Sequence, residues 1–192
     1  ARPMNRVLDP LTEMGATTTS SKGRPPISVA GGDLIGIEFA PSVASAQVKS
    51  CLLLAGIQAT GPTRISEPGP SRDHTERMLR AMGAPIVIDG RTISLPGPSR
   101  LAPRSVEVPG DFSSGAFFLV AALVVKEGQI RLEGVGLNPT RTGLLDILQS
   151  MGARIEVENL REVGGEPLGD LVASPGSLVA TEVGGEQVVR AI

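Results

Sequence analysis

The sequence predicts a mixed α/β fold built from repeats, in which short strands alternate with helices. The tripeptide Met-Gly-Ala closes three amphipathic stretches, at Met14, Met82 and Met151. These methionines are 68 and 69 residues apart, and a fixed period of this kind marks a repeat architecture. The 192 residues include only four Phe and no Trp or Tyr, so we expect a core of aliphatic side chains.

Each amphipathic stretch predicts a helix that ends at the glycine of its tripeptide. Leucines three or four positions apart form one apolar face, and glycine commonly follows a helix C-terminus. After the first of these helices, residues 25–40 predict two strands joined by a hairpin turn at residues 31–33, Gly-Gly-Asp. The three tripeptides define the first, second and third repeats.

Sliding the second repeat onto the third by 69 residues extends the similarity beyond the tripeptide. The matched pairs are Ser45 with Ser114, Pro70 with Pro139, Arg72 with Arg141 and Leu79 with Leu148. Each repeat then reads as a helix, a glycine-containing turn, a short strand, a second helix and two strands. One such repeat cannot close a core alone, so we expect sheets covered by helices from several packed repeats.

The stretch at residues 105–111 separates the second repeat from the third and predicts an interdomain hinge. Because the chain opens within one repeat and stops shortly after another begins, we also expect it to be a fragment of a longer protein.

The composition disfavours several classes of partner. Eighteen Lys plus Arg against 20 Asp plus Glu give a net charge of -2, which offers no general attraction for nucleic acid or an anionic membrane. No apolar run approaches ~20 residues, and the N-terminus lacks a signal-peptide pattern. The single Cys51 excludes an internal disulfide. We expect a soluble cytoplasmic protein that binds neither nucleic acid nor membrane.

A helix with an apolar body and polar first turns is predicted near residue 45. Pro41 and Ser42 are its predicted start, because proline suits a first turn and serine caps well. Residues 45–47 then lie in the opening turns, where unpaired N–H groups and the helix dipole favour an anion. The alternative, that these serines only cap the helix, stays open at this point.

Charged residues near this helix sharpen the anion hypothesis. The third repeat has Asp111 where the second has Ser42, so we infer that the second leaves its anion position open whereas the third fills its own. Arg72 suits bidentate binding of phosphate or carboxylate, although an ion pair with Glu76 is the alternative. Arg2 precedes the first repeat's helix much as Arg72 precedes the second's, so the two cations should converge if the repeats do.

Other polar residues carry less weight. Asp73 is a predicted helix cap, and His74 has no second histidine with which to bind a metal. Cys51 lies in an apolar stretch without a nearby histidine, which favours a buried hydrophobe over a nucleophile. Lys22 and Arg24 could serve an anionic ligand, but a solvated loop is the expected role.

The stretches PSVASAQVKSCLLLAG and EPGPSRDHTERMLRAMGA, with the opening RPM, resemble the 5-enolpyruvylshikimate-3-phosphate (EPSP) synthase family, in particular its glyphosate-insensitive bacterial branch. The resemblance spans almost the whole chain. It implies two domains of three mixed α/β repeats each, with helices inside and sheets outside. It also assigns residues 1–109 to part of the shikimate 3-phosphate-binding domain and residues 110–192 to part of the second domain. It also implies transfer of the enolpyruvyl group of phosphoenolpyruvate to the 5-hydroxyl of shikimate 3-phosphate, without a metal or organic cofactor.

The same resemblance implies roles for five residues. Ser45, Ala46, Gln47 and Arg72 match positions that hold shikimate 3-phosphate, with Ser45 on the phosphate. Gln47 would also reach phosphoenolpyruvate, and Arg2 would bind the anionic groups of that second substrate. The family's proton-transfer residues lie outside the matched stretch, so no catalytic residue is assigned and the remaining portion of the enzyme is an expected partner. We expect the isolated chain to bind shikimate 3-phosphate weakly at best and not to turn over.

Two other functions stay open. UDP-N-acetylglucosamine enolpyruvyl transferase is a related family with the same fold and donor substrate, but its catalytic cysteine belongs to a mobile loop, unlike Cys51. A non-catalytic repeat scaffold would present similar surfaces on every repeat, which the difference between Ser42 and Asp111 disfavours.

Overall fold

The computed structural model describes residues 2–191 and has the mixed α/β fold that the sequence predicts. The chain forms two compact units, Ala1–Pro103 and Arg104–Ile192. A hinge at residues 105–111 stays a prediction. Within residues 2–191, no helix combines the length and the apolar character that crossing a membrane requires.

The described part of the first unit contains three helices and two sheets. The elements are α1 (Asn5–Glu13), β1 (Thr17–Ser21), β2 (Arg24–Ala30), β3 (Glu38–Phe39), α2 (Ala46–Gly56), β4 (Thr63–Ser66), α3 (His74–Ala81), β5 (Val87–Asp89) and β6 (Thr92–Leu95). Strands β1 and β2 form an antiparallel hairpin. The second sheet has the order β3-β4-β6-β5, in which only β3 and β4 are parallel.

The described part of the second unit repeats this plan. Its elements are α4 (Phe112–Val124), β7 (Ile130–Gly136), α5 (Gly143–Ser150), β8 (Arg154–Val163), β9 (Glu166–Ser174) and α6 (Glu186–Ala191). The antiparallel sheet order β7-β9-β8 matches the order β4-β6-β5 of the first unit. The second and third repeats therefore each contain a helix, a strand, a second helix and two strands, as predicted.

The three Met-Gly-Ala tripeptides end α1, α3 and α5 with one geometry. Gly15, Gly83 and Gly152 have φ values of 103°, 89° and 85°, a left-handed region in which glycine avoids the strain of a Cβ atom. In each tripeptide the alanine N–H donates to a leucine carbonyl five residues earlier at 2.9 Å. This bond and the glycine N–H bond to the carbonyl three residues earlier form a Schellman motif, which satisfies the free carbonyls of the helix end.

The predicted hairpin turn at residues 31–33 is wrong. The hairpin of β1 and β2 turns at Lys22 and Gly23, whose φ values of 53° and 72° fit a two-residue turn with left-handed backbone. The polar strand β1 has the sequence TTTSS, whose β-branched threonines favour extended backbone despite the absence of apolar alternation. A glycine pair was therefore a weaker turn signal than the Lys-Gly step between two strands.

Each unit has its own aliphatic core. In the first, Leu52 and Leu53 of α2 are completely buried and belong to the same cluster as Ile65 of β4. In the second, Leu119 of α4 is completely buried in a cluster that includes Phe112. Burial of each such side chain contributes roughly 1.5–3 kcal/mol, so α2 and α4 are held mainly by their apolar faces.

Candidate functional site

Helix α2 begins about one turn later than predicted. Ser45 is its N-cap residue, with extended backbone, and its Oγ accepts a hydrogen bond from the Val48 N–H at 3.4 Å. The predicted start at Pro41 and Ser42 is wrong, because both residues lie in non-helical backbone before the helix. The hydroxyl that caps the first turn is therefore that of Ser45, the residue directly before Ala46.

The N-terminus of α2 leaves donors available to a ligand. Within residues 2–191, the backbone N–H groups of Ala46 and Gln47 have no hydrogen-bond acceptor. The Ser45 cap bond of 3.4 Å is longer than the usual ~2.9–3.0 Å, so it holds the hydroxyl weakly. Ser45 and Ala46 are half-buried and Gln47 is exposed. The positive end of the helix dipole thus meets solvent through groups that can donate to an anion.

Arg72 lies in the loop between β4 and α3, and this loop packs against the start of α2. A Cβ atom added at Gly69 would lie 3.9 Å from the Cβ of Ala44, just before the helix. The hydroxyls of Ser50 in α2 and Thr75 in α3 are hydrogen-bonded at 2.6 Å. Arg72 itself is half-buried. These contacts bring the Arg72 loop and the polar start of α2 into one region.

Lys49 lies in α2 behind the candidate site, and no role for it is predicted from the sequence. It is 3% exposed, and its Nζ lies 2.8 Å from Glu67 Oε2 and 2.7 Å from Glu76 Oε1. Ser71 donates its hydroxyl to Glu67 Oε1 at 2.6 Å. Burial raises the pKa of the Glu76 carboxyl, and the hydrogen bond from Lys49 offsets only part of that rise. A lysine within an apolar helix was the available signal, since a buried ammonium requires acidic partners.

In the second unit a carboxylate of the chain fills the equivalent place. Asp111 is the N-cap of α4 and accepts the N–H groups of Ser113 and Ser114 at 3.4 and 3.0 Å. Arg141, the counterpart of Arg72, donates from Nη2 to Asp111 Oδ1 at 2.7 Å. Hydrogen bonds from Ser114 and Arg141 hold the pKa of Asp111 well below its usual range. The third repeat therefore fills this helix terminus with its own aspartate, as inferred from the sequence, and the structure adds that Arg141 pairs with that aspartate.

The remaining candidates lie as follows. Arg2 is exposed before α1, and no hydrogen bond or ion pair of the described residues joins it to α2 or α3, so its convergence with Arg72 stays a prediction. Asp73 is the N-cap residue of α3 by position, but its carboxylate accepts from Arg77 Nε at 2.8 Å and makes no capping hydrogen bond. Burial raises the pKa of the Cys51 thiol in α2, which disfavours a nucleophile.

Potential metal ligands are dispersed in the part of the chain that the structure describes, where no group of three or more His, Cys, Asp or Glu side chains could hold an ion. His74 is exposed at the start of α3. The arrangement at α2 instead combines neutral donors with the adjoining loop that carries Arg72. Such a set can bind and orient an anion.

Comparison with known proteins identifies the family of the chain. The family EPSP synthase (3-phosphoshikimate 1-carboxyvinyltransferase) matches residues 1–176. A 3-phosphoshikimate 1-carboxyvinyltransferase of Gloeobacter violaceus is 53% identical over 194 residues, which cover 100% of this chain and 45% of that protein. A solved EPSP synthase from Acinetobacter baumannii is 48% identical with a TM-score of 0.88, over 98% of this chain and 43% of that one.

A more distant structure shares the fold alone. The enolpyruvyl transferase NikO from Streptomyces tendae is 22% identical with a TM-score of 0.69, over 92% of this chain and 43% of that one. The chain thus spans less than half the length of these relatives. On the family match to residues 1–176 and the 53% identity to the relative from Gloeobacter violaceus, the chain belongs to the EPSP synthase family.

Proposed function

We propose that the chain is part of an enzyme that transfers the enolpyruvyl group of phosphoenolpyruvate to the 5-hydroxyl of shikimate 3-phosphate, a step toward aromatic amino acids. The reaction releases inorganic phosphate. The observation that carries the proposal is the open N-terminus of α2, where Ala46 and Gln47 offer free N–H groups beside the loop of Arg72. Membership of the EPSP synthase family supports the choice of substrates.

In this proposal the start of α2 binds shikimate 3-phosphate. The Ser45 hydroxyl donates to its phosphate once the long bond to Val48 is released, and the N–H groups of Ala46 and Gln47 add two further donors. Arg72 contributes a guanidinium, which binds phosphate through parallel N–H bonds. The contact between Arg141 and Asp111 supports this geometry, because it joins the equivalent arginine to an anion at the equivalent helix terminus.

The second substrate is assigned to other groups. The exposed amide of Gln47 reaches phosphoenolpyruvate, and Arg2 binds the anionic groups of that substrate. Two multiply charged anions repel each other, so cations and helix N–H groups must offset that repulsion while they align the reacting atoms. Proton transfer needs further groups of suitable pKa, which we assign to the remaining portion of the enzyme.

Two finer assignments belong to the same proposal. The resemblance of the stretches PSVASAQVKSCLLLAG and EPGPSRDHTERMLRAMGA and of the opening RPM supports the bacterial branch that is insensitive to glyphosate. In the full-length enzyme, glyphosate should therefore compete poorly with phosphoenolpyruvate, and inhibition at concentrations similar to that of the substrate would contradict this assignment. The composition supports a cytoplasmic location, which fractionation of the source cells would test.

Titration of the isotope-labelled chain with shikimate 3-phosphate, followed by NMR, tests the proposed site. We expect weak binding that shifts the amide signals of Ala46 and Gln47, and no turnover by the isolated chain. Arg72→Ala should weaken binding about 10- to 100-fold, because one charge-assisted interaction contributes ~1.5–3 kcal/mol. Arg80→Ala, which removes an exposed arginine from helix α3 directly after the Arg72 loop, should leave the affinity within about twofold.

Equal affinities of the wild-type chain and Arg72→Ala would overturn the site assignment. They would also favour the scaffold alternative. Near full-length activity from the isolated chain would refute the assignment of proton transfer to the remaining portion of the enzyme. Preferential binding of UDP-N-acetylglucosamine over shikimate 3-phosphate would favour the related transferase.

A further inference from the structure

The buried ion cluster behind the α2 N-terminus has no role in the proposed ligand contacts. Lys49 is 3% exposed, and Glu67 and Glu76 are also buried, so none of the three can meet a substrate directly. Replacing such a cluster by apolar residues is often neutral or stabilising, so stability alone does not explain three buried charges. The alternative is that the three charged side chains hold neighbouring groups in a fixed position.

The contacts of the cluster lead toward Arg72. Lys49 Nζ donates to one oxygen of Glu67, and the other oxygen of Glu67 accepts the Ser71 hydroxyl at 2.6 Å. Ser71 immediately precedes Arg72 in the chain. The path from α2 to the backbone of Arg72 therefore consists of two short side-chain hydrogen bonds and one peptide bond.

A second set of contacts holds the other end of the same loop. Lys49 also binds Glu76 in the first turn of α3, and Ser50 beside it is hydrogen-bonded to Thr75. Two neighbouring residues of α2 thus contact both the beginning and the end of the segment that carries Arg72. Because two of these bonds involve a buried ammonium, they are much less screened by solvent than surface ion pairs.

We propose that Lys49, Glu67 and Ser71 are positioning residues that fix the Arg72 guanidinium beside the open N-terminus of α2 before the ligand arrives. The proposal rests on the proposed function for the identity of the ligand. Preordering this loop removes an entropic cost that would otherwise reduce the affinity for the phosphate. Because the cluster is anchored in α2, it also holds the Arg72 loop at a fixed position relative to Ser45, which caps the same rigid helix.

Ser71→Ala is the sharpest test, because it removes one hydroxyl without leaving a buried charge unpaired. We expect the affinity for shikimate 3-phosphate to fall about tenfold and the affinity to recover in Ser71→Thr, which keeps the hydroxyl. Ser99→Ala is the matched control, since it also removes a partly buried hydroxyl, one that donates to Gly97 O in the same unit. It should leave the affinity unchanged, and urea midpoints should remain similar in all variants.

Backbone ¹⁵N relaxation of the ligand-free chain provides a second readout. In Ser71→Ala, the amides of residues 69 and 71–73 should become more mobile on the picosecond to nanosecond timescale, whereas those of α2 should not. Unchanged loop order together with unchanged affinity would overturn the positioning role. If the wild-type chain binds no shikimate 3-phosphate, the proposed function fails. The relaxation data still test the positioning role in that case. Increased loop mobility in Ser71→Ala supports the role, and unchanged mobility overturns it.

Discussion

The substitution Lys49→Met should destabilise the first unit strongly at neutral pH. Methionine matches the length of the lysine stem but removes the ammonium that lies 2.8 Å from Glu67 and 2.7 Å from Glu76. Both carboxylates stay buried, with side-chain exposures of 6% and 3%. Glu76 Oε2 already lacks a hydrogen-bond partner among the described residues, so the cluster has no spare donor to compensate for the loss.

The expected loss is about 3–5 kcal/mol, which is typical when one partner of a buried ion pair is removed. That is a large part of the ~5–15 kcal/mol that stabilises an ordinary domain. The loss should shrink as the pH falls from 7 to 4. Burial raises the pKa of Glu76 in the wild type, and without Lys49 this pKa rises further, because the hydrogen bond and the positive charge that lower it are lost. Ionisation of Glu76 above ~4.3 therefore penalises the folded variant, and protonation at lower pH relieves the penalty.

Hydrogen exchange measured by mass spectrometry suits this test, because peptides from the two compact units report separately and the chain has no Trp or Tyr for fluorescence. Core amides of α2 should exchange about 100-fold faster or more in Lys49→Met. Lys126→Met, at an exposed lysine of the second unit, is the matched control and should change nothing. Adding Glu67→Gln and Glu76→Gln should restore more than half of the loss. A loss below about 1 kcal/mol at pH 7 would refute the reasoning.

Two further predictions concern helix ends. Because the pKa of Asp111 is lowered in the folded state, the ionised carboxylate stabilises the fold above pH ~3.9, and this stabilisation is lost as the pH falls through the folded-state pKa. The urea midpoints of Asp111→Asn should therefore decline less below pH ~4 than those of the wild type. Asp89→Asn, at an exposed aspartate, is the control, and parallel declines for both variants would contradict the prediction. Gly83→Ala should lower the free energy of unfolding by ~1–2 kcal/mol in a urea titration, because alanine is strained at a φ of 89° even though no atom obstructs the new Cβ. Gly31→Ala, whose new Cβ is also unobstructed, is the control and should leave the free energy of unfolding unchanged. Equal effects at the two glycines would show that the left-handed backbone is not the cause.

The repeat plan could be predicted because it depends on local chemistry. Met-Gly-Ala combines a helix-ending glycine with apolar residues that pack on the helix, and that short signal produced the same hydrogen bonds at Gly15, Gly83 and Gly152. The scarcity of aromatic residues likewise predicted the aliphatic clusters of both units. Both inferences need only residues close in sequence or the overall composition, so tertiary context could not overturn them.

The Lys49 cluster could not be predicted in the same way. Its partners Glu67 and Glu76 lie 18 and 27 positions further along the chain. No periodic pattern in the sequence indicates that either glutamate faces α2. The lysine signalled that acidic partners should exist, but several carboxylates of the first unit could have met that need. Only the packing of the loop from β4 to α3 against α2 selects these two.

The misplaced start of α2 has a physical cause that also bears on function. Aligning the repeats pairs Ser42 with Asp111, but α4 starts directly after Asp111 whereas α2 starts directly after Ser45. The carboxylate of Asp111 supplies both a cap and a counter-ion for Arg141, so it secures a helix start that a serine at the equivalent position does not. Without that internal charge, α2 retains unpaired N–H groups at Ala46 and Gln47. An external dianion such as a phosphate monoester is well suited to this terminus, because it can satisfy those donors and also accept hydrogen bonds from an arginine of the adjoining loop.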